Sequence, residues 1–177
     1  LVMTGTLYRN LGVAYFMISQ HDSAMLLLNK AMKMAVKSKN KLLEAQVNLA
    51  IGNIHNLKGE YTSALSFYLK ALPEFEKAGK KDRVRVVLGN IGTLYSNLQN
   101  FDEAEKFYLR SKKKSEELND QRGLAQAYDG LNRVAISRKQ YDKALEFGKN
   151  AAEISHNDGN TQEEAIAIQG IAWVYYE

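Results

Sequence analysis

The residues best suited to chemistry in this chain are uncharged amides. Asn10 and Asn90 stand directly before a Leu-Gly or Ile-Gly pair, Asn53 stands directly after one, and Gln46, Asn56, Asn97, Gln126 and Gln169 recur in the same stretches. A side-chain amide offers a donor and an acceptor together, which is what an extended peptide backbone needs along its length. The set therefore points to gripping of a peptide backbone, with turn capping or simple solvation as the bland alternative. Asp129 and Arg133 lie four residues apart, so on a helix they either pair with each other or read a charged side chain of a ligand.

Catalysis has no comparable foothold. His21, His55 and His156 fall in three separate segments, and the first two occupy positions that aromatic side chains fill elsewhere, so packing is the expected role. No Gly-rich phosphate loop, nucleophile motif or metal-ligand spacing is present in the sequence, and neither a metal nor a cofactor is expected. The chain reads as a non-enzymatic binding module.

The elements that must position these amides repeat. "LYRNLGVAYFMISQHDSA" at 7–24 is echoed by "VNLAIGNIHNLKGEYTSA" at 47–64, "VLGNIGTLYSNLQNFDEA" at 87–104 and "AYDGLNRVAISRKQYDKA" at 127–144, a period of 40 residues. On that period Gly12, Gly52, Gly92, Asn132 and Ala172 form one column, and Ala24, Ala64, Ala104 and Ala144 a second. A third holds Ala31, Ala71, Ser111 and Ala151, a fourth Tyr15, His55, Tyr95, Ala135 and Tyr175, and a fifth His21, Tyr61, Phe101 and Tyr141. Repeats of this length mean stacked supersecondary units, none of which can bury its apolar face alone.

Within a unit the apolar spacing is helical: Leu7, Leu11, Ala14, Tyr15 and Ile18, then after a polar break Ala24, Leu27, Leu28, Ala31 and Met34. Each unit is thus a pair of helices, with Asp22, Asp102 and Asp142 opening the second helix and either capping it or complementing its dipole. The small columns predict close backbone approach, with the tyrosine column filling the space beside them. Pro73 falls inside a second helix, where it removes a ladder donor.

Charged residues make up 25% of the 177 and hydrophobic ones 45%, with one proline and no cysteine. Disulfides and thiolate metal sites are thereby excluded. A net charge of +4, spread along the chain, gives little reason to expect nucleic acid, and the absence of a long apolar run gives no reason to expect direct membrane insertion. The compartment stays open, with the cytoplasm expected and the periplasm possible for a membrane-sensor fragment.

The Leu-Gly pair, the Tyr three residues after the Gly, the "YDKA" or "FDEA" run and the small residue seven further on resemble the tetratricopeptide repeat over essentially the whole chain. The common unit has about 34 residues, and this one has 40. Such longer units are similar to those of kinesin light chain, of peptide-sensing Rap and PlcR regulators and of repeat regions on bacterial sensor kinases. The resemblance implies an all-α, right-handed superhelical solenoid of antiparallel helix pairs: one array with repeats at about 1–40, 41–80, 81–120 and 121–160 and a further first helix at 161–177. It also implies that first helices line a concave groove, and that asparagines in the column of Asn10 and Asn90 contact bound peptide. The carboxylate clamp of chaperone-tail receptors would need cations along those helices. Arg9 has a suitable place, but the matching positions are Leu49, Gly89 and Asp129.

The first helices are sparsely charged: only Lys58 between 45 and 58, only Arg85 between 85 and 98, while "DEAEKFYLRSKKKSEE" marks a second helix and a solvated outer face. A charge-poor, amide-lined groove is therefore expected. The last helix, "EEAIAIQGIAWVYYE", lacks a polar outer face; Ile168, Ile171, Ala172 and Tyr175 fit the stack, and Ile166, Trp173 and Tyr176 turn toward the groove or beyond. This suggests a piece of a longer array, or a homo-oligomer formed through Ile166–Tyr176, with Trp173 either core or a groove anchor. The reading is a protein- or peptide-binding scaffold, plausibly the sensory module of a bacterial signalling protein. A structural array and an RNA-binding repeat are the alternatives.

Overall fold

The computed structural model describes residues 1–176, so Glu177 lies outside the described residues. Among these residues the chain forms α1 (Val2–Met17), α2 (His21–Lys37), α3 (Lys41–Leu57), α4 (Tyr61–Lys77), α5 (Lys81–Asn97), α6 (Phe101–Leu118), α7 (Gln121–Ser137), α8 (Tyr141–Asn157) and α9 (Thr161–Tyr176), with no strand. The odd-numbered helices are the first helices of each repeat and the even-numbered ones the second, and the chain is a helical repeat array.

The links explain the regularity. Ser19, Lys39, Gly59, Gly79, Gln99, Asn119, Lys139 and Gly159 all take positive φ, one in each link and 20 residues apart. Each link closes with the same two backbone bonds: in the second, the Asn40 N–H donates to Ala35 O at 2.9 Å and the Lys39 N–H to Val36 O at 3.0 Å. This is the left-handed helix stop that satisfies orphan carbonyls of the preceding helix. The following helix starts at once, and Asn40, Asn100, Asp120 and Asn160 accept from the N–H three residues ahead. Asp22, Asp102 and Asp142 lie inside the first turns, with Gln20, Asn100 and Gln140 at the cap positions. Of the two roles expected for these aspartates, only the dipole one fits. Pro73 lies within α4, which continues to Lys77.

The described chain divides into two compact units, Leu1–Lys80 and Lys81 onward. In the first, α1 packs on α2 and α3 on α4 around Ala24, Leu28, Ala31, Ala35, Leu43, Val47, Ile51 and Ile54. In the second, α5 to α9 pack in sequence, with α5 against α7 and α7 against α9. Their cores centre on Ala104, Tyr108, Leu131 and Val134, and on Ala135, Ala144 and Val174.

The glycine column has a more specific role than close backbone approach. A Cβ on Gly12 would lie 2.9 Å from Leu28 Cγ, one on Gly52 2.6 Å from Tyr68 Cε1, and one on Gly92 2.9 Å from Tyr108 Cδ1. Each glycine thus leaves room for a large side chain from the partner helix. In the fourth repeat the sizes exchange: buried Asn132 stands on α7 and Gly148 on α8, and a Cβ on Gly148 would come within 3.1 Å of Asn132 Nδ2. In the tyrosine column Tyr15, His55 and Tyr95 stay half-buried, and two of them stack, His55 on Phe67 at 5.2 Å and Tyr95 on Phe107 at 5.6 Å between ring centroids.

In α9 the expected packing face is corrected. Ala167 and Val174 are buried and Ile171 reaches Gly148, whereas Ile168, Ala172 and Tyr175 are exposed. Ala172 and Tyr175 occupy columns that face the following helix in the other repeats, and α9 has no such helix among the described residues.

Candidate functional site

The second unit contains a cavity of about 550 Å³ that touches all five of its helices. Small residues, Gly89, Gly123, Ala125, Ala127 and Ala151, are among those that line it. Gly89 is the least constrained of them: a Cβ there would meet nothing nearer than Ser111 Oγ at 3.4 Å. Of the residues expected to line a groove, the structure brings Asn90, Gln126, Asp129 and Arg133 to this one cavity.

The polar lining is tied together. Arg133 Nη2 donates to the Tyr108 hydroxyl at 3.2 Å, and that hydroxyl donates to Thr93 Oγ1 at 3.1 Å. Tyr108 is held between two glycines, Gly92 on α5 and Gly130 on α7, where a Cβ would lie 2.4 Å from Tyr108 Cε1. The glycines fix the ring, and the ring fixes the hydroxyl that Arg133 reads. Arg133 and Asp129 stand 3.6 Å apart, so the expected pair exists but is loose. Burial acts against the charge on Arg133, yet the Tyr108 hydroxyl and Asp129 outweigh it and hold the guanidinium above its ordinary range. For Asp129, burial pushes the carboxyl up; Arg133 opposes this and nearby Glu163 adds to it.

A second cluster lies toward α9. Arg122 Nε donates to Glu163 Oε1 at 3.1 Å, Gln126 Nε2 donates to the same oxygen at 2.9 Å, and Arg85 Nη1 donates to Gln126 Oε1 at 3.4 Å. Arg85 Nε also lies 2.9 Å from Asp120 Oδ2. Both ends of the Gln126 amide are therefore used inside the protein. The cavity is not charge-poor, as Arg85, Arg122, Asp129, Arg133 and Glu163 all line it, which corrects the expectation for this unit.

The remaining amides are dispersed. In the first unit Arg9, Gln46, Asn53 and Asn56 are half-buried and Asn10 exposed. Asn53 Oδ1 accepts from the Tyr68 hydroxyl at 2.7 Å, the counterpart of the Tyr108–Thr93 bond. Asn97 and Gln169 are exposed, and Trp173 is exposed with its ring beside that of Tyr176. His55 lies against Glu60 and Phe67, and His156 against Glu164. Arg85, Thr93, Tyr108, Arg122, Ser155 and Glu163 were not anticipated as lining residues. The run of small residues at Gly89, Gly123 and Gly130 was the available signal for them.

Residues 43–117 match the family model described as tetratricopeptide repeat. That segment is tetratricopeptide repeat. The same helix-pair fold extends over the described chain, as the solved structures show. A signal-transduction ATPase with numerous domains and a tetratricopeptide repeat sensor, from Pyrococcus horikoshii, superposes with a TM-score of 0.90 at 20% identity, covering 99% of this chain and 27% of that one. The apo form of RapI gives 0.87 at 17% identity over 94% of this chain and 61% of its own. The Rap conjugation gene regulator of plasmid pLS20, in complex with the Phr* peptide, gives 0.76 at 20% identity over 94% of this chain and 46% of its own. The array spans about a quarter of the first of these and under two thirds of the other two. No curated protein sequence matches the chain. Among the described residues no helix is long and apolar enough to cross a membrane.

Proposed function

We propose that this chain is a non-catalytic scaffold, a single tetratricopeptide array that binds an extended peptide or protein segment across the cavity of its second unit, as the sensory or regulatory module of a signalling protein. The observation that carries this reading is the cavity itself: about 550 Å³, lined by glycine and alanine together with Asn90, Thr93, Gln126, Asp129 and Arg133. A concave site with a few convergent polar groups is where ligands bind. The likeness to a Rap regulator whose structure holds a peptide supports the ligand class.

Gly89→Leu is the sharpest test, because it fills the cavity where a Cβ has room and replaces a helix-weakening glycine. A library of blocked octapeptides, randomised at every position, is passed over immobilised protein. Retention of discrete peptides by the wild type, and their loss from Gly89→Leu at unchanged helicity, is the expected outcome. Absence of retained peptides, or equal retention by the variant, removes the proposal.

A second reading, an assembling array, draws on the exposed apolar residues of α9: Ile166, Ile168, Trp173, Tyr175 and Tyr176. It expects a light-scattering mass that grows with concentration.

A further inference from the structure

We propose that the cavity of the second unit selects a basic side chain, lysine or arginine, of its bound peptide, with the cationic head seated among Asp129, Glu163 and Ser155. The inference rests on the peptide-binding reading above and specifies what the cavity reads.

The argument is one of hydrogen-bond accounting, since buried polar atoms in folded proteins are nearly all partnered. Three atoms sequestered at this cavity have no hydrogen-bond partner: Arg85 Nε, Ser155 Oγ and Glu163 Oε2. The charge of Arg85 is met by Asp120 at 2.9 Å. What is left over is oxygen. Ser155 is 1% exposed and lines the cavity. One repeat earlier, Ser115 turns its hydroxyl onto the Ser111 carbonyl four residues back at 3.1 Å, and Ser155 makes no such bond. Glu163 takes Arg122 and Gln126 on Oε1 and nothing on Oε2, and its terminal torsion is soft enough to turn that oxygen toward the cavity. Asp129 has Arg133 at 3.6 Å, beyond hydrogen-bond length, and feels both burial and the like charge of Glu163.

An ammonium carries three donors and no acceptor, and a guanidinium five. Either matches a set of unmet oxygens. The cavity's own arginines do not fill this seat: Arg122 is on Glu163 Oε1, and Arg133 is on Tyr108. An acidic side chain could accept from the Ser155 hydroxyl but would stand against the Asp129 and Glu163 carboxylates and leave them unmet, and an apolar one would leave all three unmet and dry.

The randomised octapeptide library tests this directly. Sequencing of the pool retained by the wild type is expected to show lysine and arginine enriched at one position. A fluorescein-labelled peptide built from the enriched sequence is expected to bind about tenfold more weakly when its basic residue is replaced by norleucine, since charge-assisted bonds are lost. Asp129→Asn and Glu163→Gln, which keep side-chain shape, are expected to shrink the difference in affinity between the basic and the norleucine peptide, whatever they do to binding of either alone. Ser155→Ala is expected to shrink that difference less. A pool without basic preference, an acidic preference, or equal binding of the lysine and norleucine peptides overturns the inference, and the last comparison needs no protein variant. Peptides that bind without basic preference but are lost from Gly89→Leu would remove this inference alone, whereas absence of any retained peptide would remove the peptide-binding reading with it.

Discussion

The two units solve the same packing problem and end with different surfaces. In each, a tyrosine from a second helix, Tyr68 or Tyr108, lies beneath a glycine of the first helix and donates its hydroxyl one residue farther on, to Asn53 or Thr93. In the first unit that bond occupies the side-chain oxygen of Asn53. In the second the acceptor is the Thr93 hydroxyl, and the tyrosine oxygen also accepts from Arg133. The arginine on α7 therefore draws Tyr108 into a polar network of the cavity. Shared packing does not imply shared function, because the packing column and the column that meets it vary independently.

The comparison breaks most severely at the tyrosines. Tyr68→Ala and Tyr108→Ala should each cost about 3 to 5 kcal/mol in urea unfolding, as buried aromatics do. Tyr68→Phe should cost about 1 kcal/mol, the worth of its hydroxyl bond. Equal losses from Tyr108→Phe and Tyr68→Phe would show that the Arg133 bond adds nothing to stability.

The size exchange comes next. Gly12→Ala should destabilise by about 1 to 3 kcal/mol, because its Cβ would lie 2.9 Å from Leu28 Cγ. In a Leu28→Ala background the same change should be neutral or favourable by up to about 1 kcal/mol, the helix preference of alanine over glycine. A double-mutant cycle with no coupling would sever the glycine column from its partner.

The links give a smaller effect. Lys39→Gly and Lys139→Gly should each stabilise by about 1 kcal/mol, since left-handed φ is strained for lysine and free for glycine. Gly79→Ala should destabilise by a similar amount. Thermal melting of the three variants measures both signs.

The smallest effect is at Asp129, half-buried on α7. Its carboxyl is pushed up in the folded protein, so the folded state holds that proton more tightly than the unfolded chain. The contribution to stability therefore falls as pH rises from the ordinary carboxylate range through the raised value. Asp129→Asn should be slightly more stable than the wild type at neutral pH, and the advantage should vanish in acid. A wild type favoured at neutral pH and not in acid would mean that Arg133 outweighs burial.

Much of the fold is legible because the period writes it several times. Ala24, Ala64, Ala104 and Ala144 are all fully buried, as their column requires. The small column at Gly12, Gly52 and Gly92 was equally visible, but its meaning was not: only the partner helix shows that it seats Leu28, Tyr68 and Tyr108. The candidate site was legible in part. Gln126, Asp129 and Arg133 lie on α7 at helical spacing and meet Asn90 of α5 in one cavity, whereas Arg85, Arg122 and Glu163 come from different columns on three helices. The α9 expectation failed for a related reason. The columns of Ala172 and Tyr175 face a following helix in the other repeats, and none follows α9 among the described residues, so Tyr175 is exposed while Ala167 and Val174 are core.

The sequence by itself determined the helices, their links and the columns of small residues, because these depend on contacts within about five residues and on a repeat that averages over four copies. Only the tertiary structure decided which long side chains meet and which oxygens are left without a donor. Periodicity assigns a residue to a face, but the reach of an arginine, a glutamate or a tyrosine across to another helix depends on how closely the helices approach. That approach is set by glycines on the helices that receive them.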